Sequence, residues 1–223
     1  MKRVPVQQKV LKENDRIAME LRRLFARRGV LALNLISSPG SGKTSLLEQT
    51  LQRLPGDIRA SVLTGDIATD NDAMRLARFG SARQITTGGS CHLDAKMVES
   101  ALAGVTAGQL DILFIENVGN LVCPAGFDLG EDAKVVVLSV TEGDDKPLKY
   151  PNIFVRSEVM ILNKIDLLPH VPFDIDTVYA NAQKIHPGIE MIRTSCTTGE
   201  GIEHWLAWLR RRLERVRSRP AAS

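Results

Sequence analysis

Short, almost continuous apolar runs alternate along this chain with segments whose apolar residues recur every three to four positions. An uninterrupted apolar run is typical of a strand buried on both faces, whereas the wider spacing predicts a helix with one buried face. Their alternation predicts a mostly parallel sheet covered by helices on both faces. The predicted strands are residues 31–36, 58–63, 82–86, 112–118, 134–140, 159–162 and 190–193, and the predicted helices are residues 6–28, 45–54, 71–78, 93–102, 178–185 and 202–217.

The first helical segment stands apart from this alternation. Residues 6–28 are rich in polar side chains, contain no Gly or Pro, and are followed by Gly29. We predict an amphipathic helix that ends at this glycine. The expected organisation is an N-terminal helical extension over residues 1–29, one α/β domain over 30–217 and a disordered tail over 218–223. The apolar positions of the helix are Val10, Ile17, Leu21 and Leu24.

Residues 37–44 read Ser-Ser-Pro-Gly-Ser-Gly-Lys-Thr and directly follow the first predicted strand. In a phosphate-binding loop, glycines let backbone N–H groups approach phosphate oxygens, the lysine reaches the β- and γ-phosphates, and the hydroxyl can ligate Mg²⁺. A chance Gly/Ser turn would not explain Lys43 and Thr44, although Ser37 stands where the pattern has glycine. We therefore predict a P-loop NTPase fold with an added N-terminal helix. The residues expected to hold the nucleotide are Gly40, Ser41, Gly42, Lys43, Thr44 and Ser45, with Lys43 also catalytic.

Composition narrows the possible partners. The 223 residues suffice for one α/β domain, and 43% hydrophobic with 25% charged residues is ordinary for a globular protein. Aromatic residues make up only 4% of the chain, which argues against a base-stacking nucleic-acid surface. The net charge of +3 is small, and the arginines of residues 210–219 are interpreted as a solvated helix face.

The chain shows no run near the ~18 apolar residues of a membrane span and no signal-peptide pattern, so we expect no membrane contact and a cytoplasmic protein. Three cysteines do not form a disulfide framework in that compartment. Their thiols are expected to bind metal or to be buried.

The sequence Asn163-Lys164-Ile165-Asp166 follows a predicted strand and indicates guanine as the base. The Asp166 carboxylate can accept from both N1–H and the exocyclic amine of guanine, a donor pair that adenine lacks. Asn163 is expected to brace the phosphate loop and touch the base, and the stem of Lys164 to cover the ring. Ser195 and Cys196, after the next strand, are expected to close over the guanine. The alternative is an Asn/Asp-rich turn with no ligand.

Two acidic segments are candidates for magnesium and for sensing the γ-phosphate. Asp66 follows the second predicted strand, and Asp72 lies in the acidic run after it. We assign catalytic roles to both. The alternative for the acidic run is that Asp70, Asn71 or Asp72 starts a helix. The strand over 112–118 leads into Glu116-Asn117-Val118-Gly119, an acid-x-x-Gly pattern that resembles a GTPase switch. Thr44, Asp66 and Glu116 are the expected Mg²⁺ residues, and Gly119 is expected to contact the γ-phosphate.

The residue after Gly119 is Asn120, where Ras-like GTPases have a glutamine that orients water. We therefore expect slow intrinsic GTP hydrolysis that a partner or a second copy accelerates.

Cys91 and His92 follow two glycines, and Cys123 lies just after the predicted switch. Neighbouring side chains can converge on one metal only from a turn, which Gly88 and Gly89 make available. Thiolate and imidazole ligands suit Zn²⁺ or Ni²⁺. Buried small side chains without a metal are the alternative. If the site binds metal, movement of Gly119 on loss of the γ-phosphate would also move Cys123.

This chain resembles the HypB family over about residues 11–208. The resemblance rests on the phosphate loop, the guanine motif, the segment 141–151 and two further stretches, Gly-Gly-Ser-Cys-His and Glu-Asn-Val-Gly-Asn-Leu-Val-Cys-Pro. The resemblance implies a GTPase that assists nickel insertion into [NiFe]-hydrogenase, a GTP-dependent dimer, and nickel or zinc on Cys91, His92 and Cys123 at its interface. It also implies that the N-terminal helix contacts the nickel chaperone HypA, with the hydrogenase large-subunit precursor as an indirect partner.

One departure and two alternatives follow from the same residues. No Cys or His precedes Cys91, so the metal function is expected to rest on the Cys91, His92 and Cys123 set. A metal carrier whose nucleotide only stabilises the fold is one alternative. A small-molecule kinase is the other, and the guanine motif over 163–166 argues against it.

Overall fold

The computed structural model describes residues 6–66, 71–103, 105 and 110–219, with side chains from residue 10 onwards. Seven strands form one sheet in the order β3-β2-β4-β1-β5-β6-β7, and every strand pairing is parallel. The predicted α/β class is confirmed. The strands are β1 Leu31–Ser37, β2 Ala60–Asp66, β3 Ser81–Thr86, β4 Ile112–Glu116, β5 Ala133–Ser139, β6 Ser157–Asn163 and β7 Glu190–Arg193.

Helices connect the strands and cover both faces of the sheet. Successive residues of β1 point to opposite faces: Leu31, Leu33 and Leu35 join one core with Trp205, whereas Ala32 joins another. Burial on both faces explains why the central strands are largely apolar. The helices are α1 Val6–Arg28, α2 Lys43–Arg53, α3 Asn71–Leu76, α4 Ala95–Leu102, α5 Lys146–Lys149, α6 Pro151–Arg156, α7 Ile175–Ile185 and α8 Ile202–Arg217.

Helix α1 has the predicted bounds and packs against α4. Its buried apolar side chains share the core of one sheet face and include Ile17, Ala18 and Phe25. The predicted apolar stripe is wrong at Val10, which is 53% exposed. The helix therefore contributes to the core of the α/β unit.

Several predicted boundaries shift because of capping groups. Helix α4 begins at Ala95, after Asp94 accepts a hydrogen bond from the Met97 N–H, so Leu93 lies in the preceding loop. Helix α7 begins three residues earlier than predicted, at Ile175 after the cap Asp174. Side-chain caps of this kind satisfy the free N–H groups of a first turn and fix where a helix begins.

Two short helices, α5 and α6, were not predicted. Each has Pro near its start, at Pro147 and Pro151. Proline is compatible with a first helical turn, but segments of four and six residues are too short to show a helical period.

The loops that matter for function follow the carboxyl ends of the strands. The phosphate loop follows β1, which lies between β4 and β5, where the order of the strands reverses direction. Open parallel sheets bind ligands at such a point. Among the described helices, none is long and apolar enough to cross a membrane.

Candidate nucleotide and metal site

The phosphate loop has the backbone conformation that its glycines predict. Gly40 and Gly42 have φ of 75° and 95°, and Gly42 is the residue before α2. A side chain at Gly42 would overlap the amide of Asn163. The helix therefore starts with its N–H groups facing the loop, which is the arrangement that binds a phosphate.

Lys43 lies in the loop with its ammonium on the Ser37 hydroxyl, at an Nζ–Oγ distance of 2.7 Å. Burial lowers the pKa of Lys43, and the carboxylates of Glu116, Asp72 and Glu142 oppose that shift. Ser37 thus has a specific use at the position where the general pattern has glycine. It supplies an acceptor for a buried cation.

Oxygen ligands gather beside the phosphate loop. The Thr44 hydroxyl donates to Glu116 Oε1 at 2.7 Å, while Glu116 Oε2 is buried without a hydrogen-bond partner among the described residues. Burial raises the pKa of Glu116 to about 7, against the opposing effects of Lys43 and Thr44. Asp66 and Asp72 line the same cleft of about 530 Å³. A hydroxyl and carboxylates fit Mg²⁺.

The acidic run is only partly described, because Asp70 falls in residues 67–70, outside the described residues. Asp72 lies in the first turn of α3 and faces Arg75 at 3.5 Å. Arg75 also lines the cleft and pairs with Glu48 at 2.7 Å. Sequence reasoning did not identify Arg75; its spacing of three residues from Asp72 on a helix was the available signal.

A second missed residue is Glu142. Its Oε1 accepts from the Ser41 hydroxyl at 2.6 Å and from the Ser139 N–H at 3.1 Å, and its Oε2 lies 3.4 Å from the Lys146 ammonium. The loop after β5 is thereby tied to the phosphate loop. The acidic stretch over 141–145 was noticed only as part of a family resemblance, since nothing in its pattern pointed to Ser41.

Asn163 connects the guanine motif to the phosphate loop. Its Nδ2 donates to the Ser41 carbonyl at 3.0 Å, and its Oδ1 accepts from the Thr194 hydroxyl at 3.1 Å and the Cys196 thiol at 3.4 Å. Lys164 has a positive φ of 62° and donates to the Gly40 carbonyl at 2.7 Å. The motif therefore lies directly against the loop that would hold the phosphates.

The carboxylate of Asp166 accepts from the Ser195 hydroxyl at 2.6 Å. The Ser195 N–H donates to the Glu200 carbonyl at 2.9 Å, so Ser195 reaches this site through its side chain. Burial raises the pKa of Cys196 to about 11, which keeps its thiol protonated.

The three predicted metal ligands come together. One ligand atom each of Cys91, His92 and Cys123 lies within 4.8 Å of the others, and Cys91 Sγ lies 3.7 Å from His92 Nδ1. Gly88 and Gly89 have φ of 62° and 99°, as the predicted turn requires. Thiols and an imidazole at this spacing fit Zn²⁺ or Ni²⁺.

The surroundings of this cluster act differently on its imidazole and on its thiols. Burial lowers the pKa of His92, with an opposing effect of Asp94, so the ring is held in the neutral form that binds metals. The Phe127 ring packs against the His92 ring with 3.9 Å between centroids and an interplanar angle of 32°. A hydrogen bond with Cys123, together with burial, raises the pKa of the Cys91 thiol, so a metal that binds there has to displace its proton.

The metal cluster and the phosphate loop share one segment of chain. Gly119 lies against Pro39, where a Cβ at Gly119 would come within 3.0 Å of the Pro39 Cα. Four residues later, Cys123 begins a short 3₁₀ helix, Cys123–Gly126. Residues 116–123 therefore run from the Thr44 partner Glu116 past the phosphate loop to a metal ligand.

Comparison with known proteins agrees with this arrangement. Residues 31–193 match the family described as CobW/HypB/UreG, nucleotide-binding domain. The chain is 53% identical over 216 residues to the hydrogenase maturation factor HypB of Azotobacter vinelandii, covering 96% of this chain and 71% of that protein.

Two crystal structures are similar over most of this chain. HypB from Helicobacter pylori in complex with nickel has a TM-score of 0.87 and 38% identity, over 95% of this chain and 99% of that one. The hydrogenase maturation factor HypB from Archaeoglobus fulgidus has a TM-score of 0.85 and 40% identity, over 91% and 100% of the two chains. The similarity thus extends over at least nine-tenths of this chain.

Proposed function

We propose, from the premise that the chain belongs to the CobW/HypB/UreG family and to its HypB hydrogenase maturation factors, that it hydrolyses GTP to GDP and uses this cycle to control the delivery of nickel to a [NiFe]-hydrogenase. The observation that carries the proposal is the segment 116–123. It contacts the phosphate loop at one end and contributes Cys123 to the metal cluster at the other.

Phosphate binding would use the loop residues Gly40 to Ser45, with Lys43 leaving the Ser37 hydroxyl to meet the β- and γ-phosphates. Thr44, Asp66 and Glu116 would hold Mg²⁺, which neutralises charge on the phosphates. Gly119 lines the cleft and would meet the γ-phosphate through its N–H. Asp72 lines the same cleft and is our candidate for positioning water.

Hydrolysis is expected to be slow in a single chain. The amide of Asn120 is occupied at both ends, since its Nδ2 donates to the Cys91 carbonyl at 3.4 Å and its Oδ1 accepts from the Val122 N–H at 2.8 Å. It is therefore poorly placed to orient an attacking water. A second copy would supply what the single chain lacks.

Guanine would be selected by Asp166, whose orientation is supported by the Ser195 hydroxyl. Asn163, Lys164 and Cys196 would complete the base site at the edge of the phosphate loop. Adenine would leave the Asp166 carboxylate covered by the base without its two donors, which would disfavour ATP.

Nickel, or zinc in its place, would bind Cys91, His92 and Cys123. Three protein ligands leave a position for a further ligand, which a second copy of the chain could supply. Val122, next to Cys123, is an apolar side chain that is 63% exposed. A GTP-dependent homodimer with the metal at its interface would cover it.

The remaining partners are proposed from family membership. Helix α1 exposes the apolar side chains of Val10 and Met19, 53% and 50% accessible, and would contact the nickel chaperone HypA. The hydrogenase large-subunit precursor would receive nickel indirectly. We place the protein in the cytoplasm, without nucleic-acid or membrane partners.

The test is a Ni²⁺ titration of the full chain with GDP and with a non-hydrolysable GTP analogue, combined with measurement of its mass in solution. We expect different Ni²⁺ affinities in the two states and a dimer with the analogue. Equal affinities and equal release rates would reject the coupling.

Substitutions separate the metal site from the nucleotide site. Cys91→Ala and Cys123→Ala should bind GTP normally and lose the metal response, whereas the control His204→Ala, at an exposed histidine of α8, should keep it. Lys43→Ala should lose tight nucleotide binding. If Lys43→Ala still supported hydrogenase activity in cells, the protein would be a metal carrier whose nucleotide only stabilises the fold.

A further inference from the structure

Asn117 lies between the residues assigned to the nucleotide and those assigned to the metal. It follows Glu116 at the end of β4 and is only 1% exposed. Its Oδ1 accepts two backbone hydrogen bonds, from the Val118 N–H at 3.0 Å and from the Leu93 N–H at 3.1 Å. One side-chain oxygen thus joins the segment that contains Gly119 to the loop that contains Cys91 and His92.

The orientation of this amide is fixed by a second buried contact. Asn117 Nδ2 donates to Asn34 Oδ1 at 3.2 Å, and Asn34 Nδ2 donates to Glu131 Oε1 at 3.2 Å. Glu131 in turn pairs with the buried Lys134 and accepts from the Leu129 N–H at 2.6 Å. A buried network in which each polar group has a partner holds its members in one arrangement.

Leu93 is a rigid point in the metal loop. Its side chain is fully buried in the core beneath α1 and α4, and its N–H is the one bound by Asn117. Because Leu93 directly follows His92, a shift of this N–H changes the direction of the His92 side chain. On the other side of His92, Asn120 donates to the Cys91 carbonyl at 3.4 Å.

We propose that Asn117 is a positioning residue that transmits movement of the nucleotide switch to the Cys91–His92 arm of the metal site. Cys123 belongs to the switch segment itself, so it moves with Gly119 through the chain. Cys91 and His92 lie 26 and 25 residues before Asn117, so no short stretch of chain joins them to the switch. Besides the contact of Asn120 with the Cys91 carbonyl, the hydrogen bond from the Leu93 N–H to Asn117 joins their loop to the switch.

The consequence is that both arms of the metal cluster respond together. A switch that moved only Cys123 would pull one ligand away and leave Cys91 and His92 in place. With Asn117 intact, a displacement of residues 117–119 by the γ-phosphate also displaces the loop at Leu93. The inference rests on the proposed nucleotide control of metal binding and specifies the contact that carries it.

The experiment measures the ratio of Ni²⁺ affinities with GDP and with a non-hydrolysable GTP analogue, in the wild-type chain and in Asn117→Ala. Couplings between sites typically change affinity by about 5- to 150-fold. We expect the wild-type ratio to lie in that range and the Asn117→Ala ratio to fall towards one. Affinity for the analogue itself, measured without metal, is expected to change little.

Val98→Ala is the matched control. It removes buried apolar volume from the core that holds Leu93 and leaves the hydrogen bonds of Asn117 in place. This variant should lose stability and keep the wild-type ratio. If it lost the ratio as fully as Asn117→Ala, the effect would follow from a weakened core and the proposal would be wrong.

A measurement on the wild-type chain covers the case in which Asn117→Ala does not fold. The amide resonance of Leu93 should shift between the GDP and analogue states in metal-free protein, and an unchanged resonance would overturn the proposal. A wild-type affinity ratio of one would instead reject nucleotide control itself. A normal wild-type ratio that Asn117→Ala retained would reject only the role of Asn117.

Discussion

The Thr44 hydroxyl donates a 2.7 Å hydrogen bond to Glu116, which joins the first turn of α2 to the end of β4. The carboxylate is buried, and its pKa is raised to about 7 by that burial. A buried acid with one unpartnered oxygen is costly for the fold, unless the group serves a charged ligand. The geometry is therefore consistent with a magnesium role for this pair.

Replacing Glu116 by Gln should separate stability from catalysis. Gln retains an oxygen that can accept from Thr44 and removes the buried charge, so the free energy of unfolding in nucleotide-free buffer at pH 8 should stay equal or rise. Magnesium-dependent GTP hydrolysis should fall by ~10²-fold or more, the size found when one preorganised group that stabilises transition-state charge is removed. Urea unfolding and phosphate release measure the two effects.

The control for this variant is Glu48→Gln, which removes a carboxylate that pairs with Arg75 at the rim of the same cleft. It should leave hydrolysis within a few-fold of wild type. A comparable loss in Glu48→Gln would show that the activity depends on net charge near the cleft. The assignment of magnesium to Glu116 would then be wrong.

Ser37→Gly restores the usual first residue of the phosphate loop and tests the use of its hydroxyl. Without that hydroxyl, the buried Lys43 ammonium loses its 2.7 Å acceptor. We expect nucleotide-free protein to lose about 1–3 kcal/mol of unfolding free energy, the usual contribution of a hydrogen bond to a buried charged group. GTP affinity should be unchanged or higher, because Lys43 no longer has to give up its hydrogen bond to Ser37 when it binds the phosphates.

Ser38→Gly is the matched control for Ser37→Gly, since it makes the same substitution at the half-buried neighbour. Chemical denaturation measures the stability of both variants, and nucleotide titration measures their GTP affinity. Equal losses of stability would mean that added backbone freedom, and not the Lys43 contact, is responsible.

The arrangement of strands and the positions of the motifs could be predicted because they depend on local patterns. The apolar run of β1, the glycines of the phosphate loop and the turn at Gly88 and Gly89 each determine their own conformation. Parallel strands then bring their carboxyl ends to one edge of the sheet. The acid-x-x-Gly pattern predicted a magnesium role for Glu116, and its place at the end of β4 brings it to Thr44.

The contacts that link the motifs could not be predicted, because they join residues distant in sequence through side-chain orientation. Nothing in the amino-acid sequence shows that Glu142 accepts a hydrogen bond from Ser41, 101 residues away, or that Asn117 accepts one from the Leu93 N–H. A buried polar residue in an apolar stretch, such as Asn34, signals that a partner exists but not which one. Those partners emerge only from the packed structure.

Asp166→Asn should change which base the protein binds. The carboxylate can accept from two donors of guanine, whereas an amide presents one acceptor and one donor. We expect GTP affinity to fall by ~10²-fold or more, and affinity for xanthosine triphosphate to rise, because its ring carries an oxygen in place of the exocyclic amine. Competition titrations with GTP, ATP and the xanthine nucleotide measure the change.

Asp176→Asn, in the first turn of α7, serves as the control for Asp166→Asn, since it neutralises a carboxylate outside the base site. It should keep the GTP preference. If Asp166→Asn also kept its preference for GTP over the xanthine nucleotide, the base would be selected elsewhere, and the guanine assignment of residues 163–166 would be wrong.

Asp111 anchors the C-terminal helix to the sheet and should make stability depend on pH. Burial acts to raise the pKa of Asp111, but the Arg59 N–H and the Arg217 guanidinium, at 2.8 and 2.6 Å, lower it below its ordinary value overall. The folded chain therefore holds this carboxylate ionised at a pH where the unfolded chain has begun to protonate it. The stability that this charge adds to the folded chain is complete above the ordinary pKa of an aspartate. It is lost as the pH falls through the lowered pKa of Asp111.

The pH test compares wild type with Asp111→Asn, which is nearly isosteric and cannot ionise. At pH 7 the variant should be less stable by about 1–3 kcal/mol, the usual range for hydrogen bonds to a charged group. The difference should shrink as pH falls below the ordinary pKa of an aspartate. Arg217→Gln should reproduce part of the loss at pH 7. Asp111 lies at the end of the sheet opposite the phosphate loop, so GTP affinity should stay constant in both variants. A difference in stability that did not depend on pH would mean that the charge of Asp111 contributes nothing.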